Sequence, residues 1–156
     1  MDMTKSATTL LVIICAAVLG FAGQAYAYEA AGMIKTVRGQ ARIERDGGSL
    51  EARVGLPVQE RDRIIVQDAS SVGISMSDET LLSLGRNSTM VIDKYAYDPV
   101  TRDGHVATSI LKGTLRYVTG LIGRAHPQAI KVTTANATIG IRGTEFIVEV
   151  PDEAKK

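Results

Sequence analysis

Residues 28–150 predict a single all-β domain, and three observations carry that expectation. Short apolar or alternating runs recur about every 8–12 residues, the spacing of small strands. Between them stand glycine, asparagine, aspartate or proline, which turn the chain. No stretch of ten or so residues repeats its apolar positions with a helical period. About ten short strands follow, which would build a β-sandwich, a barrel or a short β-helix-like roll.

"MIKTVRGQARIER", residues 33–45, alternates on both sides of Gly39. "DGGSL", residues 46–50, is a hairpin turn, since glycine readily takes positive φ. "LEARVGLPVQERDRIIV" follows, broken at Gly55 and Pro57. "SSVGISMSD" puts Val72, Ile74 and Met76 on one face and Gly73, Ser75 and Ser77 on the other, a period of two. Asp78-Glu79 turns tightly into "TLLSL", and "GRNS", residues 85–88, turns into "TMVIDKYAY". "DPVTRDGH", residues 98–105, is the longest polar loop. "VATSILKG", "TLRYVTGLIGR", "AIKVTTANATIGI" and "TEFIVEV" then read as strands, with Gly113, Gly120 and Gly123 at bends or bulges. Pro151 stops the last strand, and residues 151–156 form a polar tail.

The chain has 156 residues, enough for one ordinary domain. Lys5, the uncharged apolar run from Leu10 to Ala22 and the small-residue site Ala25-Tyr26-Ala27 make residues 1–27 a helical secretory signal peptide cleaved after Ala27. The apolar run is shorter than the roughly 20 residues of a membrane-spanning helix. The mature protein is therefore expected in the periplasm or outside the cell, with no stable membrane span. Cys15, the only cysteine, lies inside the apolar run, so the mature chain has no disulfide, thiol nucleophile or thiolate metal site. Net charge is +1 and no basic stripe stands out, which argues against nucleic acid as a partner. The chain has no Trp, so a glycan site built on stacked indoles is excluded.

Catalytic motifs are scarce. His105 and His126 stand in loop-like contexts without metal-ligand spacing, so neither metal nor cofactor is expected. No nucleophile elbow, phosphate loop or dinucleotide fingerprint occurs. Glu145 and Glu149 lie four apart on a strand and face the same way. They read as a solvated face, and a glycan-cleaving role for Glu145 or Asp78 is the minor alternative. In "ATIGIRGTEFIVEV", residues 137–150, Arg142, Gly143 and Thr144 interrupt two apolar runs. All three are expected to have a local structural role, a direct ligand role being the alternative. Gly143 allows a bulge, Arg142 reaches a neighbouring carboxylate or carbonyl, and Thr144 bonds the turn backbone. For contact with a partner the candidates are Tyr95, Tyr97, Arg102 and His105, around the long loop, and any exposed strand edge.

Laid out in this way, residues 32–150 resemble the FecR domain family of bacterial envelope proteins. "GMIKTVRGQARIERDGG" resembles its first hairpin. In the next segment Gly55, Val58, Asp62, Ile64, Ser71, Asp78, Leu82, Leu84 and Ser88 fall at family positions. "LKGTLRYVTG" resembles a later strand, and "VTTANATIGIRGTEFIVEV" resembles the closing motif. Arg61-Asp62 replaces the usual Gly-Asp, Asp78-Glu79 the usual Asp-Gly, and Thr133-Thr134 the usual Thr-Pro. The best-known members pass an iron–siderophore signal from an outer-membrane receptor to a sigma factor. The segment that would touch a sigma factor is not expected in this chain, so what the resemblance implies is an exported, non-enzymatic β-domain acting on envelope proteins. The alternative is a surface protein associated with cell wall, glycan or matrix. The family offers no catalytic residues to carry over.

Overall fold

The computed structural model describes residues 30–141 and 143–151. The expected signal peptide, Arg142 and residues 152–156 lie outside the described residues.

The domain is all-β, as the sequence predicts, and its architecture is a curled, mainly antiparallel sheet resembling half a barrel. Twelve strands appear in order: β1 (Gly32–Arg38), β2 (Ala41–Arg45), β3 (Gly48–Glu51), β4 (Pro57–Val58), β5 (Arg63–Val66), β6 (Ser71–Met76), β7 (Leu81–Leu84), β8 (Thr89–Tyr97), β9 (Gly104–Val118), β10 (Ile130–Thr133), β11 (Thr138–Gly140) and β12 (Glu145–Val150). A one-turn helix, α1 (Leu121–Ala125), and a 3-10 turn (Pro127–Ala129) separate β9 from β10. Along the sheet the strands run β3-β2-β5-β8-β9-β7-β6-β1-β4. On the far side of β9, β10 pairs in parallel with residues 106–109 and β12 antiparallel with residues 113–118.

Alternation decides which face is core. Along β6 the side chains of Val72, Ile74 and Met76 are buried and those between them are half-buried. The same rhythm buries Ile43 on β2, Ile64 and Val66 on β5, and Leu82 and Leu84 on β7. Each such aliphatic side chain contributes about 1.5–3 kcal/mol relative to exposure. These residues meet Ile34, Met90, Ile92, Ile110 and Leu115 in one continuous core.

Strand β9 differs from the reading of the sequence, in which Gly113 separates two strands. The structure has one strand of 15 residues that bends at Gly113, where φ is +85°. Its first half pairs with β8 and its second half with β7 and β12. "GLIGR" is helical rather than extended, because Leu121 N–H donates to Asp78 O at 2.7 Å and Ile122 inserts, fully buried, into the core. The run at 129–141 is two antiparallel strands joined at Thr134, whose hydroxyl accepts from the N–H groups of Asn136 and Ala137.

Arg61 and Glu79 hold left-handed backbone, φ +70° and +67°, at the two turns where the resembled family carries glycine. Both side chains are exposed. A non-glycine residue loses about 1–2 kcal/mol there, against which glycine's extra freedom in the unfolded chain weighs about 0.4–1 kcal/mol. Glu79→Gly is therefore expected to raise the calorimetric unfolding midpoint by a few degrees, with Arg61→Gly acting alike. A midpoint unchanged or lowered in both would show that these turns carry no backbone strain.

Candidate functional site

The last strand begins where Gly143 takes φ +145°, a conformation open to glycine at little cost. Thr119 ties down the entry: its hydroxyl donates to Gly143 O at 3.1 Å and its N–H to Thr144 O at 2.8 Å. That second bond fixes the ladder. Thr144, Phe146, Val148 and Val150 direct their backbone groups at β9, while Glu145, Ile147 and Glu149 direct theirs away. Among the described residues β12 pairs with β9 alone, so this outer edge has no strand partner. Ile147, 64% exposed, sits between the two glutamates on the outer face. Glu145 accepts from Arg116 Nε at 2.6 Å, and this contact holds its carboxyl below the ordinary range.

Asp78 is wholly buried. Its Oδ2 accepts from Thr80 Oγ1 at 2.8 Å and from Ile122 N–H at 3.4 Å, and its Oδ1 from Thr80 N–H at 3.3 Å. Asp78 N–H donates to the Tyr95 hydroxyl at 2.9 Å, and that hydroxyl in turn lies 3.4 Å from Oδ1. The group therefore joins the β6–β7 turn, α1 and β8. Burial pushes the hydroxyl pKa of Tyr95 well above its usual value, and the Asp78 charge acts the same way. Tyr117 on β9 is fully buried. Asp78 is thus sealed inside the domain, while Glu145 lies on its surface.

The residues singled out near the long loop do not converge on one face. Tyr95 and Tyr97 are half-buried, pack against the core and line a small cleft with Ala30, Ser77 and Pro99. Its volume is about 150 Å³, below the roughly 300 Å³ at which ligand pockets begin. His105 is a β9 residue rather than a loop residue, opposite Ala96 and so on the other face from the tyrosines. Arg102 is exposed at φ +62° in a loop closed by Asp98, whose Oδ1 accepts from Val100 N–H at 2.8 Å. His126, read as a loop histidine, caps α1 and lies 3.1 Å from Asp103.

A second buried carboxylate, Asp62, meets Arg45 in a two-pronged contact, Nε to Oδ1 at 2.7 Å and Nη2 to Oδ2 at 2.6 Å. Arg45 Nη2 also donates to Pro57 O at 2.9 Å, and Gln59 N–H donates to Asp62 Oδ2 at 2.8 Å. Sequence reasoning found Asp62 only as a motif position and missed Arg45, since their pairing depends on how β2 lies beside β5.

A curled β-sheet bent about one long strand, with a buried carboxylate at each of two turns, defines a single all-β module. The chain belongs to the FecR family: the FecR protein family model matches residues 62–156. That family is a regulatory and sensory one of the cell envelope. The match begins at Asp62, so β1 to β4 precede it. No curated protein and no solved structure matches the chain.

Proposed function

We propose that the protein is an exported, non-enzymatic interaction module of the bacterial envelope, engaging a protein partner through the free edge of β12. One observation carries the reading: Glu145, Ile147 and Glu149 turn their backbone groups away from the sheet, with an exposed aliphatic side chain at the centre. An unpaired edge of this kind accepts a strand from another chain, main-chain bonds giving affinity and side chains giving selectivity. The FecR family's role in envelope signalling supports a protein partner.

The test is mild crosslinking of the envelope in the native host, followed by affinity purification of the tagged full chain. A receptor, transporter or inner-membrane signalling protein is expected with the wild type and lost with Ile147→Pro. Proline is tolerated at that position because its missing N–H faces outward. Recovery of wall material alone would sink the reading.

A further inference from the structure

The free edge of β12 carries a charge imbalance. Glu145, Ile147 and Glu149 share the outward face of the strand, while Phe146, Val148 and Val150 turn toward the core. Arg116 stands opposite Ile147 on β9, with a glutamate diagonally to each side. One guanidinium thus serves two carboxylates, and it takes Glu145, Nε to Oε1 at 2.6 Å. Glu149 is exposed, stands opposite Thr114 and makes no ion pair among the described residues. It lies two residues beyond Ile147, about 7 Å along the strand.

The inward face of the same edge is apolar. Phe146 stacks on Tyr117 with ring centroids 5.0 Å apart, and Val148 is buried. Phe146 and Val150 pack against the core and still keep part of their surface in water. A strand laid beside β12 would cover them with its own inward side chains. A second copy of this chain fits poorly there. Antiparallel self-pairing centred on Ile147 sets glutamate against glutamate at both ends, and like charges directly opposite destabilise a sheet.

We propose that the edge of β12 selects an antiparallel partner strand by charge. That strand carries a lysine or arginine opposite Glu149, an aliphatic residue opposite Ile147, a neutral residue opposite Glu145 and an apolar inward face. The assignment rests on the interaction-module reading and names the partner's chemistry. Main-chain bonds at residues 145, 147 and 149 hold the strand. The unpaired carboxylate fixes its register. A slip of one residue turns every apolar side chain to the wrong face, and a slip of two carries the cation away from Glu149.

The probe is fluorescein-labelled GSVKVIVTSG, whose lysine falls opposite Glu149 when its isoleucine stands opposite Ile147. GSVEVIVTSG is the charge-reversed control, and both are titrated against the full chain by fluorescence anisotropy. Saturable binding of the lysine peptide is expected, about fivefold tighter than the control, with the difference shrinking at high salt. Ile147→Pro should bind neither peptide. Glu149→Lys should reverse their order with an unchanged unfolding midpoint. Glu145→Gln/Arg116→Gln, which removes a neutral pair, should keep the wild-type order. Absence of saturable binding, equal binding of the two peptides, or an order unmoved by Glu149→Lys overturns the proposal. So does binding kept by folded Ile147→Pro, or an order lost in Glu145→Gln/Arg116→Gln. Tenfold tighter binding of the lysine peptide by Lys155→Gln/Lys156→Gln also overturns it, since those lysines would then be the resident cations. A dimer seen in sedimentation and lost in Ile147→Pro overturns it in favour of a second copy. In the envelope crosslinking experiment, a partner kept by Glu149→Lys and lost by Ile147→Pro leaves the edge as the contact and overturns the charge selection. No partner with the wild type ends the interaction reading itself.

Discussion

Asp62→Ala is expected to lower the midpoint of thermal unfolding by about 10 °C or more, because removing one partner of a buried ion pair costs about 3–5 kcal/mol. The wild-type carboxylate is fully buried, while the Arg45 side chain keeps 19% of its surface in water, which places the loss near the lower end. Three effects add up. Arg45 loses both prongs of its contact, Gln59 N–H loses its acceptor, and the loop before β5 loses its tie to β2. Asp62→Asn keeps an oxygen for Gln59 and should fall between wild type and alanine. Replacing both partners by aliphatic residues, as in Arg45→Met/Asp62→Leu, should recover much of the loss, since the isolated charge is then gone. Thermal unfolding of the four proteins, followed by calorimetry, checks this. An Asp62→Ala midpoint within 2 °C or so of wild type would mean that the pair contributes no net stability.

Gly113→Ala is expected to be about as damaging, for a different reason. A Cβ at this residue would lie 2.5 Å from Ser88 Cα and 2.8 Å from Ser88 Cβ, and φ is +85°. Backbone strain of this kind costs about 1–3 kcal/mol, and the clash with the neighbouring main chain adds to it. The bend also places the Ser88 hydroxyl, which accepts from Thr114 N–H at 2.9 Å and donates to Thr114 O at 3.2 Å. Urea unfolding of Gly113→Ala should show a loss of roughly 3 kcal/mol with little change in m. Adding Ser88→Gly should restore little of it, because the Cα remains in the way. Full rescue by Ser88→Gly would locate the cost in the side chain and not in the bend.

The all-β class was legible because each strand has a buried and an outward face, and alternation writes that directly into the order of residues. Val72, Ile74 and Met76 are the clearest case. What the order of residues hides is anything completed from far along the chain. Helix α1 has no capping residue of its own; its first N–H groups are met by Asp78, 44 positions before Ile122 in the deepest of these bonds. Gly113 reads as a separator because glycine often ends strands, yet here it lets one strand turn a corner without breaking its ladders. Gly143 was legible as a point of backbone freedom, and the free edge that follows it became visible only with the pairing of β12 to β9.

Strand β9 belongs to both halves of the sheet, and this makes the domain mechanically indivisible. It pairs with β7, β8, β10 and β12, so the half of the sheet that begins at β8 and the half that begins at β7 cannot part without tearing one of its ladders. A pull on a partner strand seated along β12 would load β9 directly. From there the load would pass through the bend at Gly113 to β8 and the opposite half of the fold. In an envelope protein, a single shared strand of this kind couples what happens at one edge to the whole body of the domain.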